Sequence, residues 1–232
     1  LKHVVCLYET SGYSAADFAV GGFEVWNYDI STLEPRQERR GNGWMMWMPW
    51  DARDEEQNRK LVEWHRGQTV LVLAFPPCND LAASGSSRFY EKQMRDPDYR
   101  YKAMKLVWTA RDLAVALDVP WVIENPVSVI SSEWRKPDYV WHPYEYGGYL
   151  AEDDYHPFWP EYISPRDAYY KKTCYWVGNG FSMPRKQPVP VRDRYGAQYS
   201  QLGGKSERTK QIRSASPRGI ARGIYLANSA KT

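Results

Sequence analysis

Two apolar runs in this chain end in proline, and each is followed at once by a chemically capable side chain. Val70-Leu71-Val72-Leu73-Ala74 reads as a buried strand, and Phe75-Pro76-Pro77-Cys78 follows it. Trp121-Val122-Ile123 reads the same way and runs into Glu124-Asn125-Pro126. Proline cannot donate to a sheet ladder, so both strands must stop there. Short, continuous apolar runs of this kind suit a parallel sheet buried on both faces. In such sheets ligands gather outside the carboxyl ends of the strands. The pattern therefore predicts an α/β chain that brings a thiol and a carboxyl to one edge. A thiolate can add to an electrophilic carbon, and a carboxyl beside it can move a proton.

The rest of the chain fits a doubly wound, Rossmann-like sheet. Residues 4 to 8 read as a strand, followed by a small polar turn ending at Gly12. Ser14 opens a helix through about Val20, closed by Gly21-Gly22. Glu24 to Ile30 alternates as a second strand with Asp29 near its end. This strand, turn, helix and strand order is a common way to hold a nucleoside-containing cofactor. Residues 31 to 44 read as a polar loop with a basic stretch, Arg36 to Arg40, and Trp44 to Trp50 as a strand or wall. Helices are expected over 55 to 66 and 95 to 117, the second with Ala103, Leu106, Val107, Ala110, Leu113 and Ala114 at helical spacing. Residues 79 to 88 are small and polar, as in a segment that closes over substrate. The stretch from Ser131 to Tyr170 is irregular and aromatic, and Thr209 to Ala227 holds a final helix entered through Ser216-Pro217.

Charge is divided unevenly along the 232 residues. The net charge is only +3. From Lys171 onward, however, 13 Lys and Arg face only Asp193 and Glu207, whereas residues 1 to 170 are net acidic. That asymmetry predicts a polyanion bound mainly by the C-terminal part. The 11 Trp and 18 Tyr serve first as core anchors and secondly as surfaces for base stacking. No run of 18 apolar residues is present, so no membrane span is expected. Three cysteines without Cys-x-x-Cys spacing, and four scattered histidines, fit a reducing cytoplasm and argue against a metal site.

Phe75-Pro76-Pro77-Cys78 followed by Glu124-Asn125-Pro126 resembles the catalytic motifs of the DNA (cytosine-5)-methyltransferases. Other segments resemble the family in its order. Leu7-Tyr8-Glu9-Thr10-Ser11-Gly12 is similar to its cofactor loop, Glu24 to Asp29 to its second strand with the ribose-binding acid, and Trp50 to Asp54 to its adenine-contacting segment. Lys171 to Trp176 resembles the strand before the target-recognition region, and Arg213 to Arg222 the C-terminal motif of small, phage-like members. In chain order the resemblance implies a catalytic core over 1–176 with an aromatic insertion at about 149–168. A recognition region over 177–205 and a C-terminal helix over 206–232 that completes the core follow.

The resemblance also implies roles. Cys78 is the nucleophile, with Glu124 on the ring nitrogen and amine and Asn125 orienting the loop. Tyr8, Gly12, Asp29, Ile30, Asp51, Phe75 and Pro76 bind S-adenosylmethionine. Arg88, Lys172, Arg185, Lys186 and Arg213 contact double-stranded DNA, with the protein a monomer in a bacterial or phage-infected cell. The chain departs from the family at two places. Thr10 stands where the loop usually carries a second glycine, which narrows the approach to the cofactor or calls for an altered sulfonium. Tyr169-Tyr170-Lys171-Lys172 replaces a motif that usually holds arginines. Two alternatives stay open: the same C5 chemistry on a free pyrimidine nucleotide or RNA, and an inactive relative that only holds DNA. The recognition region is under 30 residues, so a short target site is expected.

Overall fold

A computed structural model describes residues 1–191, 196, 198, 201–203 and 206–231. Its sheet has eight strands among the described residues: β1 (His3–Leu7), β2 (Glu24–Asp29), β3 (Arg36–Arg40), β4 (Gly43–Pro49), β5 (Thr69–Ala74), β6 (Trp121–Pro126), β7 (Tyr139–Trp141) and β8 (Thr173–Gly178). Their order is β3-β4-β2-β1-β5-β6-β8-β7. The pairs β4-β2, β2-β1, β1-β5 and β5-β6 are parallel, while β3-β4 and β6-β8 are antiparallel. The chain leaves β1 toward β2 on one side and later returns to β5 on the other. The topological switch point therefore lies at β1, where an α/β sheet opens its ligand crevice.

The apolar runs become the centre of this sheet. All five residues of β1 are buried, as are Leu71, Val72, Leu73 and Ala74 of β5 and Val122 and Ile123 of β6. The α-helices are α1 (Ala16–Val20), α2 (Glu55–His65), α3 (Phe89–Arg95), α4 (Tyr99–Leu117), α5 (Ile130–Glu133), α6 (Glu207–Ser214) and α7 (Arg218–Asn228). Asp54 caps α2 by accepting from the N–H groups of Glu56 and Gln57. Helix α4 presents Ala103, Val107, Ala110, Leu113 and Ala114 to the core that also holds Val5, Leu7, Val72 and Ile123. Leu106 lies at the margin of that face rather than within it.

Three elements differ from the sequence reading. The basic stretch Arg36–Arg40 is not loop but strand β3, paired antiparallel with β4. Its pattern shows no apolar alternation because it is an exposed edge strand, and charge on such an edge discourages pairing with another chain. The long helix starts at Tyr99 rather than Arg95, because Asp96-Pro97 separates α3 from α4. The final helix is entered through Ser216-Pro217 as expected and is α7, but a separate helix, α6, precedes it, since a proline at 217 cannot continue α6 and can open α7.

The described chain forms two compact units. The first comprises Leu1–Thr10, Phe18–Val140 and Thr173–Phe181, and the second Ser11–Asp17, Trp141–Lys172 and Ser182–Thr232. The aromatic insertion thus belongs with the C-terminal segment rather than with the sheet. The second unit has its own small core of Ile163, Tyr169, Ile212 and Ala215. The Asp167 carboxylate in it is buried and accepts from the N–H of Gly219 in the first turn of α7 at 2.8 Å. No helix among the described residues is long and apolar enough to cross a membrane. No described group of His, Cys, Asp and Glu side chains is arranged to hold a metal ion.

Candidate active site at the carboxyl ends of the central strands

The ends of β5 and β6 lie side by side, with Ala74 in register with Ile123. Beyond that pair the two proline motifs diverge from the ladder and are joined again by a side chain. Asn125 Nδ2 donates to the carbonyl of Pro76 at 2.9 Å, and Asn125 is buried. A proline pair has no N–H to donate, so the link runs from the other tip to a proline carbonyl, and here the Asn125 side chain supplies the donor. Glu124 and Asn125 stay in register with Tyr175 and Cys174 of β8, which fixes the second tip from its other side.

Cys78 sits in a turn closed at both ends. The N–H groups of Leu81 and Ala82 donate to its carbonyl at 3.0 and 2.8 Å. The following residues then pair with those after Pro126: Ala83 N–H donates to Val127 O, Val129 N–H donates to Leu81 O, and Ala82 bridges Ser128. Lys92 of α3 reaches back to the Asn79 carbonyl at 2.7 Å and to Asp80 at 2.6 Å. The polar stretch expected to move is therefore tied down over its first residues. From Ala83 to Arg88 it forms an exposed 3-10 turn that ends at Arg88. Cys78 is half-buried while Cys6 and Cys174 are fully buried, so Cys78 alone of the three is open to a reaction partner.

The neighbouring strand ends carry the other predicted residues of the first unit. Tyr8 follows β1 with φ 60°, a strained value for a non-glycine residue. Its ring packs 5.1 Å from Trp50, and its hydroxyl donates to Leu106 O at 2.8 Å. Burial holds the Tyr8 phenol far above its ordinary range, with the charges of Asp29 and Asp51 adding to the effect. It is a neutral, apolar wall. Asp29 ends β2 and accepts from Ser31 N–H and Oγ, which fixes the carboxylate at the strand edge. Ile30 beside it is exposed. A carboxylate for vicinal hydroxyls flanked by an uncovered aliphatic side chain suits a ribose and its base. Asp51 is different: Arg53 grips it through Nε and Nη2 at 2.8 and 2.7 Å and holds its carboxyl below the usual range. Phase of the strand puts Phe75 and Pro76 directly after β5, with Phe75 N–H still donating to Leu7 O.

The remaining predicted residues belong to the second unit. Gly12 there takes a left-handed conformation, φ 74°, ahead of the first helical turn. Lys172 and Arg185 are exposed. Lys186 is exposed but pairs with Glu145 at 2.6 Å. Arg213 is turned inward, donating to the carbonyls of Gln198 and Leu202. The sequence offered no sign of this, because an arginine bonded to backbone carbonyls and a phosphate-binding one look alike in a basic segment. Nor did it show the roles of Trp50, Lys92 or Trp47, which act on loops distant in sequence. No protein-family model matches the chain, and no curated protein matches it significantly.

Proposed function

We propose that the chain is a DNA cytosine-5 methyltransferase that uses S-adenosylmethionine and passes through a covalent Cys78 adduct. The observation that carries this reading is the Asn125 to Pro76 hydrogen bond, which joins the cysteine tip to the glutamate tip. A nucleophile and a proton-handling carboxyl on adjoining, mutually fixed loops suit addition to a ring whose nitrogen must be protonated as carbon is attacked.

The chemistry follows from the cytosine ring. C6 is the conjugate position, and the Cys78 thiolate adds there while Glu124 delivers or shares a proton at N3. The electron pair displaced by that addition makes C5 nucleophilic. The donor, when bound, supplies an electrophilic methyl on sulfonium, and C5 takes it with loss of S-adenosylhomocysteine. Loss of the C5 proton to a base then expels Cys78 and restores the aromatic ring. A base within a duplex is stacked and out of reach, so the cytosine must be turned out of the helix. Asp29 and Ile30 hold the nucleoside of the donor in this reading, and Tyr8 lines the approach. The basic residues of the C-terminal region supply salt-dependent affinity for phosphates.

Incubation with labelled S-adenosylmethionine and duplex DNA, RNA or dCMP, followed by nucleoside mass spectrometry, tests the reading. Label in 5-methylcytosine from DNA is the expected result. Label in RNA or dCMP alone would move the substrate class, and no transfer to any of them would discard the reading. A duplex carrying 5-fluorocytosine is expected to trap the enzyme, because fluorine cannot leave C5 as a proton does.

A further inference from the structure

The extra edge strand does more than cover the sheet. Strands β3 and β4 form a hairpin closed by Gly41-Asn42, with Gly41 at φ 62°. Its turn is pressed onto the C-terminal end of α1. A Cβ on Gly41 would lie 2.7 Å from the Val20 backbone, and one on Gly43 would lie 2.1 Å from the Phe23 carbonyl oxygen. Asn42 N–H donates to Val20 O, and Trp44 N–H donates to Phe23 O. The far end of the hairpin is fixed as well. Trp47 is buried in β4, and its indole N–H donates to the carbonyl of Thr10 at 3.0 Å. Arg36, directly across the hairpin from Trp47, lays its guanidinium 4.1 Å from the ring centroid.

Thr10 lies in the turn after β1. With a side chain there, the peptide cannot rotate as freely as glycine allows. The indole bond fixes the direction of the Thr10 carbonyl, and in a planar trans peptide the next N–H must point the opposite way. The orientation of the turn beside the strained Tyr8 is thus set from a strand two positions away in the sheet.

We propose that Trp47 is a positioning residue for the sulfonium donor, held in place by Arg36, and that the β3–β4 hairpin sets the shape of the donor loop. The proposal rests on the methyltransferase reading above. It predicts that loss of the indole N–H weakens donor binding without touching the nucleophile or the DNA.

Calorimetry with S-adenosylhomocysteine on the full chain tests it, using wild type, Trp47→Phe and Arg36→Gln, with amide hydrogen exchange over residues 8–12 in parallel. The expected result is at least tenfold weaker binding and faster exchange in Trp47→Phe. Arg36→Gln, which leaves the core intact, should show a smaller loss in the same direction. In turnover the KM for the donor should rise while kcat and the KM for DNA stay near wild type. Wild-type binding that neither substitution weakens would overturn the positioning role and leave the methyltransferase reading standing. Absence of wild-type binding would overturn both.

Discussion

The two units solve the same problem, fixing polar groups in a small protein, by different means. In the first unit the sheet does the work. Parallel register places Asp29, Tyr8, Phe75 and Glu124 at successive strand ends, and single bonds such as Asn125 to Pro76 complete the arrangement. In the second unit regular structure is sparse. Its shape depends on buried polar contacts, such as Asp167 on the N-terminal turn of α7 and Arg218 paired with Asp154. Arg166 and Asp167 both sit at positive φ, a strain that the carboxylate contact helps to maintain. In the proposed function, the chemistry falls to the first unit and the contact with the polyanion to the second.

The most severe test of that contrast is Cys78→Ser. If the first unit carries the chemistry, product formation should fall by about 10³-fold or more, because a hydroxyl is a poor nucleophile at neutral pH. DNA affinity, assigned to the second unit, should be near wild type by filter binding. Full activity in the serine variant would remove the covalent step and with it the division of labour.

Buried titratable groups give a second test, since the two units should respond to acid in opposite directions. In the first unit His65 is fully buried, bonded to His3 at 2.9 Å and to Tyr28 at 2.7 Å. Burial lowers its pKa to about 3, with the nearby His3 contributing in the same sense. The proton order follows from Glu24, which can only accept: His3 Nε2–H donates to it at 3.1 Å, His65 Nδ1–H donates to His3, and Tyr28 O–H donates to His65 Nε2. Such a chain is neutral at both rings. Its stability is complete above the unfolded histidine value near 6.5 and is lost as pH falls toward 3. Asp167 does the reverse. Burial raises its pKa to about 6, so its protonated form suits the fold, and stability is greatest below the unfolded value and declines as pH rises through 6. Two pKa units correspond to about 3 kcal/mol. Asp167→Asn should therefore flatten the decline between about pH 4 and 6 in denaturant titrations, exposing the opposite slope from His65. An unchanged profile would mean that Asp167 titrates normally.

Asp29→Ala sharpens the contrast within the first unit. If Asp29 accepts from the ribose hydroxyls of the donor, as proposed, its loss should cost about 1.5–3 kcal/mol of donor binding, roughly a ten- to hundredfold rise in KM. Asp51, already gripped by Arg53, should matter less to the donor when changed to Asn. Equal effects on calorimetric donor affinity would show that β2 does not end at the ribose.

Much of the first unit was legible in the sequence because its signals are local. A buried parallel strand is a continuous apolar run, and prolines mark where it must end, so β5, β6 and the two proline-marked tips could be read directly. Strand β3 was missed because an exposed edge strand has no apolar alternation to read. The break at Asp96-Pro97 was missed because the helical spacing on either side masks it. The link from Trp47 to Thr10 spans 37 residues and depends on sheet order, which no local pattern encodes. Of the second unit, the final helix entered through Ser216-Pro217 was legible, because a proline near a first helical position is a local signal; the rest was not. Its pieces come from three separated stretches, and its holding contacts are single polar groups within aromatic, proline-rich sequence.

The smallest expected effects lie among the basic residues, and they separate solvent-exposed cations from those engaged with other described residues. Lys172 and Arg185 are exposed, and each neutralisation of a phosphate releases condensed counterions. Replacing either with Gln should weaken DNA binding a few-fold, alike across sequences, and reduce the salt-dependence slope by about 0.9. Lys186 is held by Glu145 at 2.6 Å, so Lys186→Gln should change the slope less. Arg213 donates to backbone carbonyls, so Arg213→Gln should lower thermal stability with little change in slope. Filter binding over a range of salt, with melting curves on the same four variants, distinguishes these classes. Equal slope changes for all four would mean that the inward bonds of Arg213 and the Glu145 pair give way on DNA, and that the second unit reshapes itself around its partner.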